Sequence, residues 1–174
     1  MTTVVFTERA NRVEIAYDSQ VSSGYRKNEL EGQGKVFTVG PVTIGGAGAV
    51  GYINQLADMH IPPIQPMTDS ETDRWVQQVL IPKIKQAATL YSPYTRNEGE
   101  VAGIALIAVN GRVYEIGGDF SKIRVAGGNY AIGSGSSYAL GALSSGKSAK
   151  DAVGVAAQHD MATGYTIREL IIKK

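Results

Sequence analysis

The second residue of the chain, Thr2, could act as a nucleophile once Met1 has been removed. Removal would free the α-amine of Thr2, whose pKa of roughly 7.7–8.0 lets it accept the hydroxyl proton near neutral pH. Nucleophile and base would then lie on one residue, as in catalysis by an N-terminal threonine. Because threonine is small, we expect a cell to remove Met1. Taken alone, Thr2 also fits an ordinary threonine at the start of a strand.

A carboxylate is predicted to lie beside Thr2, because the first eighteen residues have the pattern of a β-hairpin. With a three-residue loop at 9–11, opposed residue numbers sum to twenty and Thr2 faces Asp18. A two-residue loop would shift the register by one and place Asp18 opposite Thr3. The first register also gives the sheet two apolar faces, with Val4 and Phe6 on one and Val5, Val13 and Ile15 on the other.

The rest of the chain alternates between groups of strands and groups of helices. We predict, in order, a hairpin at 35–39 and 42–46, a helix at 47–59, a helical stretch at 69–91 kinked by Pro82, a hairpin at 103–109 and 112–116, helices at 136–145 and 148–159, and an extended tail at 165–172. The strongest signal is Asn110-Gly111, which favours a hairpin turn between alternating apolar residues. Elements grouped in this way are typical of an α+β fold.

Length and composition indicate one soluble domain. The 174 residues suit a single domain spanning 1–174, and the absence of cysteine excludes disulfides and thiolate metal sites. A net charge of +1 argues against nucleic-acid binding, and no apolar run approaches the roughly 18 residues of a membrane span. His60 and His159 are too isolated to indicate a metal site. We therefore expect a cytoplasmic protein that binds no metal, cofactor, nucleic acid or membrane.

Several segments of the chain resemble the N-terminal-threonine (Ntn) hydrolases, which are the proteasome β subunits and above all the HslV-type protease subunits. They occur in the family's order and nearly its spacing: Thr2-Thr3-Val4-Val5, Ala16-Tyr17-Asp18-Ser19-Gln20, Gly34-Lys35-Val36, Gly45-Gly46-Ala47-Gly48 at the predicted start of a helix, residues 131–139, and Asp160-Met161-Ala162-Thr163-Gly164. Only residues 58–100 show little likeness. The resemblance implies the Ntn hydrolase fold, a four-layer α-β-β-α sandwich of two antiparallel sheets flanked by helices.

The resemblance also implies roles for four residues near the start of the chain. Thr2 would be the nucleophile, and the ammonium of Lys35 would hold down the pKa of the Thr2 amine. Asp18 would orient and neutralise Lys35. Gly45 would present a backbone N–H to the oxyanion of the tetrahedral intermediate, a contribution of about 2.7–4 kcal/mol per donor. Singly, each residue also has an ordinary structural explanation, such as a solvated lysine or a tight-turn glycine.

Three further residues match the family's second group of polar side chains. Ser134 corresponds to the serine that hydrogen-bonds the terminal amine in proteasome β subunits. Asp160 and Thr163 fall where those subunits have an aspartate and a serine three residues apart. The threonine departs from the proteasome pattern but keeps the hydroxyl group. All seven residues together, in the family's order, favour descent from an active enzyme.

By resemblance, the chain is a threonine endopeptidase subunit of a self-compartmentalised, ATP-dependent protease. Such subunits form homo-oligomeric rings, are fed by an AAA+ unfoldase and degrade unfolded polypeptides. The alternative is a catalytically silent structural or assembly protein that has the same fold and retains Met1. The presence of Thr2, Asp18 and Lys35 together weighs against that alternative.

One motif competes with this interpretation, since residues 141–148 fit the phosphate-binding pattern G-x-x-x-x-G-K-[ST]. That motif needs a strand directly before it, whereas a helical segment is predicted there. Two successive helices explain the same residues, with the first ending at Gly146 and the second capped by Ser148 and Asp151. We therefore favour the helices over a nucleotide site.

Overall fold

Two antiparallel sheets form the centre of the molecule. The structure is a computed structural model that describes residues 2–23, 26–30, 34–89, 95–97 and 100–174. In chain order the strands are β1 (Thr3–Glu8), β2 (Arg12–Asp18), β3 (Gln20–Ser23), β4 (Arg26–Glu29), β5 (Val36–Val39), β6 (Val42–Gly48), β7 (Thr95–Asn97), β8 (Glu100–Val101), β9 (Gly103–Val109), β10 (Arg112–Ile116), β11 (Lys122–Ile123), β12 (Asn129–Gly133) and β13 (Ile167–Lys173). The first sheet has the order β12-β1-β2-β13 and the second β11-β10-β9-β6-β5, while β3-β4 and β7-β8 are separate ribbons.

Helices cover the outer face of each sheet. In chain order they are α1 (Val50–Ala57), α2 (Asp69–Trp75), a π-helical segment (Val76–Leu80), α3 (Ile81–Thr89), α4 (Ser136–Ser144) and α5 (Ala149–His159). The group from α1 to α3 packs on the second sheet, and α4 and α5 pack on the first. The predicted α+β fold and its four-layer α-β-β-α sandwich are therefore confirmed. None of the described helices is long and apolar enough to cross a membrane.

Buried apolar side chains fill the spaces between the four layers. Phe6 and Leu106 lie in the cluster between the two sheets. Large side chains such as Tyr52 and Ile84 fill the space under α1 and α3. The space under α4 and α5 is filled mostly by alanines, namely Ala16, Ala131, Ala139, Ala142, Ala149, Ala152 and Ala156. Because protein interiors are close-packed, such small side chains leave little room between this helical layer and its sheet.

The first hairpin differs from the predicted one in its loop. Arg9 N–H donates to the Arg12 carbonyl at 2.8 Å, so two residues rather than three lie between them. Opposed residue numbers consequently sum to 21. The prediction that Thr2 faces Asp18 was therefore wrong, and this register brings Asp18 to the level of Thr3.

The one-residue shift also exchanges the faces of the second strand, because successive strand residues point to opposite sides. Val13 and Ile15 were predicted to share a face with Val5, and this was wrong. They lie with Val4 and Phe6 in the cluster between the sheets. Val5 instead faces the alanines under α4 and α5.

The glycine-rich segment 45–48 was expected to open a helix, but all four residues belong to β6. Pairing with β9 runs from Thr43 opposite Ala108 to Gly48 opposite Gly103. Because β9 continues the ladder that far, the predicted helix at 47–59 begins only at Val50.

The predicted helical stretch at 69–91 is present as α2, the π-helical segment and α3 in direct succession. It begins with a capping box between Thr68 and Glu71. Ile81 N–H donates to the Val76 carbonyl, one residue further back than in an α-helix. Pro82 follows directly and cannot donate a backbone hydrogen bond, so the predicted irregularity takes the form of a π turn. Residues 90 and 91 lie outside the described residues.

The later elements follow the prediction closely. Strands β9 and β10 have the predicted bounds, and Asn110 and Gly111 between them have φ angles of 49° and 72°. Helix α4 leads to Gly146, with a φ of 87°, and the Ser148 side chain caps α5 by accepting from Asp151 N–H. A helix rather than a strand leads into residues 141–148, so this segment lacks the architecture of a phosphate-binding loop. The predicted tail is strand β13.

Candidate active site

Thr2 lies in the wall of a cleft of about 850 Å³, at one end of the two sheets. The lining residues include Thr2, Gly48, Gly103, Asp119, Gly133 and Ser134. Thr2 precedes β1, the strand between β12 and β2, and only 5 % of it is exposed. A Cβ atom at Gly133 would overlap the Thr2 carbonyl, and Gly133 has a φ of 96°. Glycine at this position therefore allows β12 to approach Thr2 closely.

The carboxylate of Asp18, at the end of β2, is fully buried and accepts four hydrogen bonds. Its Oδ1 atom accepts from Lys35 Nζ and from Thr3 N–H, both at 2.8 Å. Its Oδ2 atom accepts from the backbone N–H groups of Gln20 at 3.1 Å and Gly164 at 2.9 Å. Asp18 is thus joined to the peptide bond that follows Thr2.

Lys35 lies directly before β5, and only 3 % of it is exposed. Burial lowers the pKa of its ammonium group, and the adjacent Asp18 carboxylate opposes this shift. The ammonium group is held 2.8 Å from Asp18 Oδ1. Lys35 is therefore linked through the Asp18 carboxylate to the N–H that follows Thr2.

A second polar cluster links the residue after Thr2 to the ends of α4 and α5. Ser134 Oγ and Thr163 Oγ1 each donate to Asp160 Oδ2 at 2.6 Å. Thr3 Oγ1 lies 2.6 Å from Thr163 Oγ1, and it must be the donor there because Thr163 gives its only hydroxyl proton to Asp160. Ser134 Oγ also lies 3.5 Å from the carbonyl oxygen of Thr2.

The hydrogen bonds in this second cluster keep Asp160 ionised. Partial burial raises the pKa of Asp160, but hydrogen bonds from Ser134, Thr163 and the Ala162 N–H outweigh it and hold the pKa below its usual range. An ionised carboxylate accepts hydrogen bonds only, which fixes the direction of both hydroxyl groups.

Gly45 does not lie at the cleft. Gly46 N–H donates to the Lys35 carbonyl in β5, and neighbouring N–H groups on a strand point to opposite sides. The Gly45 N–H therefore points to β9, where Leu106 lies opposite and completes the ladder. Its Cα packs against the next layer, because a Cβ there would lie 2.7 Å from Val4 Cγ1.

Of the glycines in the 45–48 segment, Gly48 is the one at the cleft. It lines the cleft beside Thr2 and has a φ of 121°. Ala49 N–H donates to the Ala102 carbonyl on the β9 side, so the Gly48 N–H points the other way. On that side the β5 ladder ends at Val36 opposite Gly45.

Comparison with solved structures relates this architecture to known proteins. The bacterial proteasome homologue BPH of Thiobacillus denitrificans superimposes with a TM-score of 0.74 at 21 % identity, covering 98 % of this chain and 97 % of that one. Its complex with epoxomicin gives the same TM-score and identity, with 98 % of each chain covered. Eukaryotic HslV from Trypanosoma brucei gives 0.68 at 19 % identity, with 99 % of each chain covered. The chain has the Ntn hydrolase fold of HslV.

The likeness to HslV was therefore predicted correctly at the level of the fold, over nearly the whole chain. Sequence comparison adds nothing to it, since no protein-family model matches the chain and no curated protein does. At 19–21 % sequence identity, the structural likeness shows the Ntn hydrolase fold alone. The chemistry of the chain must be argued from the residues of the cleft.

Within this Ntn hydrolase fold, the predicted residues form two groups on either side of Thr2. Asp18 and Lys35 are in direct contact, as are Ser134, Asp160 and Thr163. Two further residues, Thr3 in the second polar cluster and Gly48 in the cleft wall, were not predicted from the sequence. The neighbouring threonine in the Thr2-Thr3 pair and the last glycine of the 45–48 segment were the available signals. The described residues contain no group of acidic or histidine side chains that could hold a metal ion.

Proposed function

We propose that the chain is a threonine peptidase of the proteasome and HslV type, active once Met1 has been removed. The observation that carries the proposal is the position of Asp18 Oδ1, which binds both the Lys35 ammonium and the N–H that follows Thr2. The buried Lys35 ammonium would lower the pKa of the Thr2 amine, because a nearby positive charge favours the neutral form, while the neighbouring Asp18 carboxylate opposes this shift. A neutral amine is the form that can act as a base.

In the first step, the Thr2 Oγ attacks the carbonyl carbon of a peptide bond while its proton passes to the Thr2 amine. The carbonyl oxygen becomes an oxyanion. When the intermediate collapses, the carbon–nitrogen bond breaks and the leaving amine takes the proton, which leaves an ester on Thr2. Water then attacks the ester while the amine again accepts a proton, and the carbon–oxygen bond to Thr2 Oγ breaks as Oγ takes that proton back, which releases the acid product and restores Thr2.

The Gly48 N–H is the backbone donor that we assign to the oxyanion. It lines the same cleft as Thr2 and points past the last residue pair of β5. A donor of this kind is typically worth about 2.7–4 kcal/mol in the transition state. We assign this role to Gly48 in place of Gly45, whose N–H faces Leu106 in the ladder.

Ser134, Asp160 and Thr163 would hold the opposite side of the site. Asp160 fixes the Ser134 hydroxyl at 2.6 Å, and that hydroxyl lies beside the Thr2 carbonyl. Once Met1 is absent, Ser134 is in a position to hydrogen-bond the free amine of Thr2. Thr163 stands where the proteasome pattern has a serine, and its hydroxyl donates a hydrogen bond to Asp160.

The resemblance to HslV and proteasome β subunits also supports a proposal about how the chain assembles. We infer a homo-oligomeric ring that encloses the clefts, an AAA+ unfoldase as partner and unfolded polypeptides as substrates. The native mass of the purified protein tests the ring, because a multiple of the 18.5 kDa subunit mass is expected.

The activity is tested by intact mass spectrometry before and after incubation with epoxomicin, the ligand in the BPH complex. We expect loss of Met1 and one covalent adduct per chain, with no adduct on Thr2→Ala. Thr89→Ala is a matched control, since Thr89 is an exposed threonine at the end of α3. It should form the adduct as the native chain does.

The same measurement distinguishes the silent structural protein. A chain that begins at Thr2 and still forms no adduct would overturn the peptidase proposal and favour the structural or assembly role. A form with a bulky residue inserted between Met1 and Thr2, which blocks methionine removal, should also remain unmodified because its Thr2 nitrogen is an amide.

A further inference from the structure

The wall of the cleft carries negative charge and no compensating positive charge among the described residues. Of the described side chains that line it, only Glu100 and Asp119 are ionisable. The others are glycines, hydroxyl residues and apolar residues. Lys35 is buried against Asp18 rather than exposed in the cleft.

Asp119 is held in place by a tight turn between β10 and β11. Gly117 N–H donates to the Ser121 carbonyl at 3.0 Å, and Ser121 N–H donates to Asp119 Oδ1 at 2.9 Å. Phe120 has a φ of 65°, which is rare for a bulky residue, and its ring packs against the core under α1 and α3. Strained residues of this kind persist where the surroundings fix them, commonly at functional sites. The partly buried ring therefore anchors the turn that presents Asp119.

The same turn is tied to the segment that carries Glu100. Val101 N–H donates to the Gly118 carbonyl at 2.9 Å, so β8 and the turn form one side of the cleft. A Cβ at Gly118 would lie 2.7 Å from the Val101 carbonyl oxygen, so the close approach requires glycine. Glu100 and Asp119 thus face the same volume from adjoining pieces of chain.

Both carboxylates are available to a ligand. Neither forms an ion pair with any described residue. Hydrogen bonds from Ser121 lower the pKa of Asp119, so that it carries its charge at neutral pH. Two like charges in one cleft repel each other, and a cation placed between them relieves this repulsion.

We propose that Glu100 and Asp119 make the cleft selective for polypeptide segments with lysine or arginine close to the scissile bond. The proposal rests on the proposed function in that it assigns the peptide to the cleft beside Thr2. Lysine and arginine are the side chains that offer a positive charge at neutral pH, and either is long enough to reach a carboxylate on the wall. A glutamate at the same position would be repelled.

The expected effect is moderate, because Glu100 and Asp119 are both exposed to solvent. Each ion pair in such a position is expected to raise the affinity for the peptide by only about two- to fivefold. The effect should shrink as salt is raised, because exposed charges are screened.

The test measures binding rather than turnover, so that it does not depend on catalysis. Three fluorescent peptides that differ only in one central residue, lysine, norleucine or glutamate, are titrated into Thr2→Ala by anisotropy. We expect the order lysine, norleucine, glutamate. In Thr2→Ala chains that also carry Glu100→Gln or Asp119→Asn, the lysine preference should fall about two- to fivefold, and in the double neutralisation it should vanish. Equal binding of the three peptides, or a preference that survives double neutralisation, would overturn the proposal.

Two controls separate this result from changes in folding and from the proposed function. Asp58→Asn removes an exposed carboxylate outside the cleft and should leave the preference unchanged. The reaction of epoxomicin with the native chain is measured in parallel, and Asp58→Asn should form that adduct at the native rate. Failure of the peptidase proposal appears as absence of that adduct on the native chain, whereas failure of the charge selectivity appears only in the peptide titrations.

Discussion

Asp18 and Lys35 form a buried ion pair in which the carboxylate does not depend on the lysine for its position. Lys35 Nζ lies 2.8 Å from Asp18 Oδ1, while three backbone N–H groups, those of Thr3, Gln20 and Gly164, also donate to Asp18. The aspartate is therefore fixed by the main chain. The lysine, in contrast, has Asp18 as the one carboxylate within ion-pair distance among the described residues.

Asp18→Ala should destabilise the protein more than Lys35→Met. Removal of the carboxylate leaves a buried ammonium group and three backbone donors without their partner, and we expect a loss of about 3–5 kcal/mol. Lys35→Met leaves an aspartate that still accepts three hydrogen bonds, so its loss should be smaller. Urea unfolding measures both values, and an equal or reversed order would show that the main-chain donors do not hold Asp18.

Gly133→Ala should prevent epoxomicin from reacting with Thr2. An added Cβ would overlap the Thr2 carbonyl and displace the nucleophile. Gly127→Ala is the matched control, because Gly127 also has a positive φ, 84°, but nothing lies within 4 Å of an added Cβ. The control should cost about 1–2 kcal/mol of stability from backbone strain alone. It should keep the adduct, which mass spectrometry detects for both variants.

Gly45→Ala should reduce stability through overpacking. A Cβ would lie 2.7 Å from Val4 Cγ1 and 2.9 Å from Phe6 Cε1, between the two sheets. We expect a loss of about 1–3 kcal/mol in the free energy of unfolding. Gly141→Ala, in α4 with open space around it, should instead gain about 0.5–1 kcal/mol. A Gly45→Ala protein of native stability would contradict the packing of the sheets described above.

The contribution of Asp160 to stability should depend on pH. Its pKa in the folded protein is lowered, so its stabilising effect is present above the unfolded value of about 3.9 and is lost as the pH falls through the folded value. The difference in unfolding free energy between the native chain and Asp160→Asn should therefore be constant near neutral pH and shrink in acid, below about pH 4. Urea unfolding from pH 3 to pH 7 measures this difference. Asp58→Asn controls for the change in net charge, and a difference that grew in acid would contradict the hydrogen bonding to Asp160.

Local signals in the sequence predicted the elements they control. The Asn110-Gly111 turn sets the bounds of β9 and β10 by its own backbone preference, and Ser148 with Asp151 sets the start of α5. Pro82 predicted an irregular helix for the same reason, because it lacks a backbone donor.

Features that depend on distant parts of the chain were not predicted. The 45–48 segment has glycines that could open a helix, yet pairing with β9 keeps it extended as far as Gly48. The contact between Thr3 and Thr163 joins residues far apart in the chain, and nothing local in either segment indicates it. The register of the first hairpin was predicted wrongly by one residue. Its two-residue loop, Ala10-Asn11, lacks the Asn-Gly or Asp-Gly pair that would have indicated its length.

The small volume of the alanine side chains under α4 and α5 determines where one side of the cleft lies. Ser134 lies two residues before α4 and Asp160 directly follows α5, so the positions of both groups depend on helices that pack on methyl groups. A larger residue at Ala142 or Ala152 would lift its helix and carry the hydroxyl or the carboxylate away from Thr2, with every reactive group still present. The proposed reactivity of Thr2 should therefore be sensitive to residues that do not line the cleft.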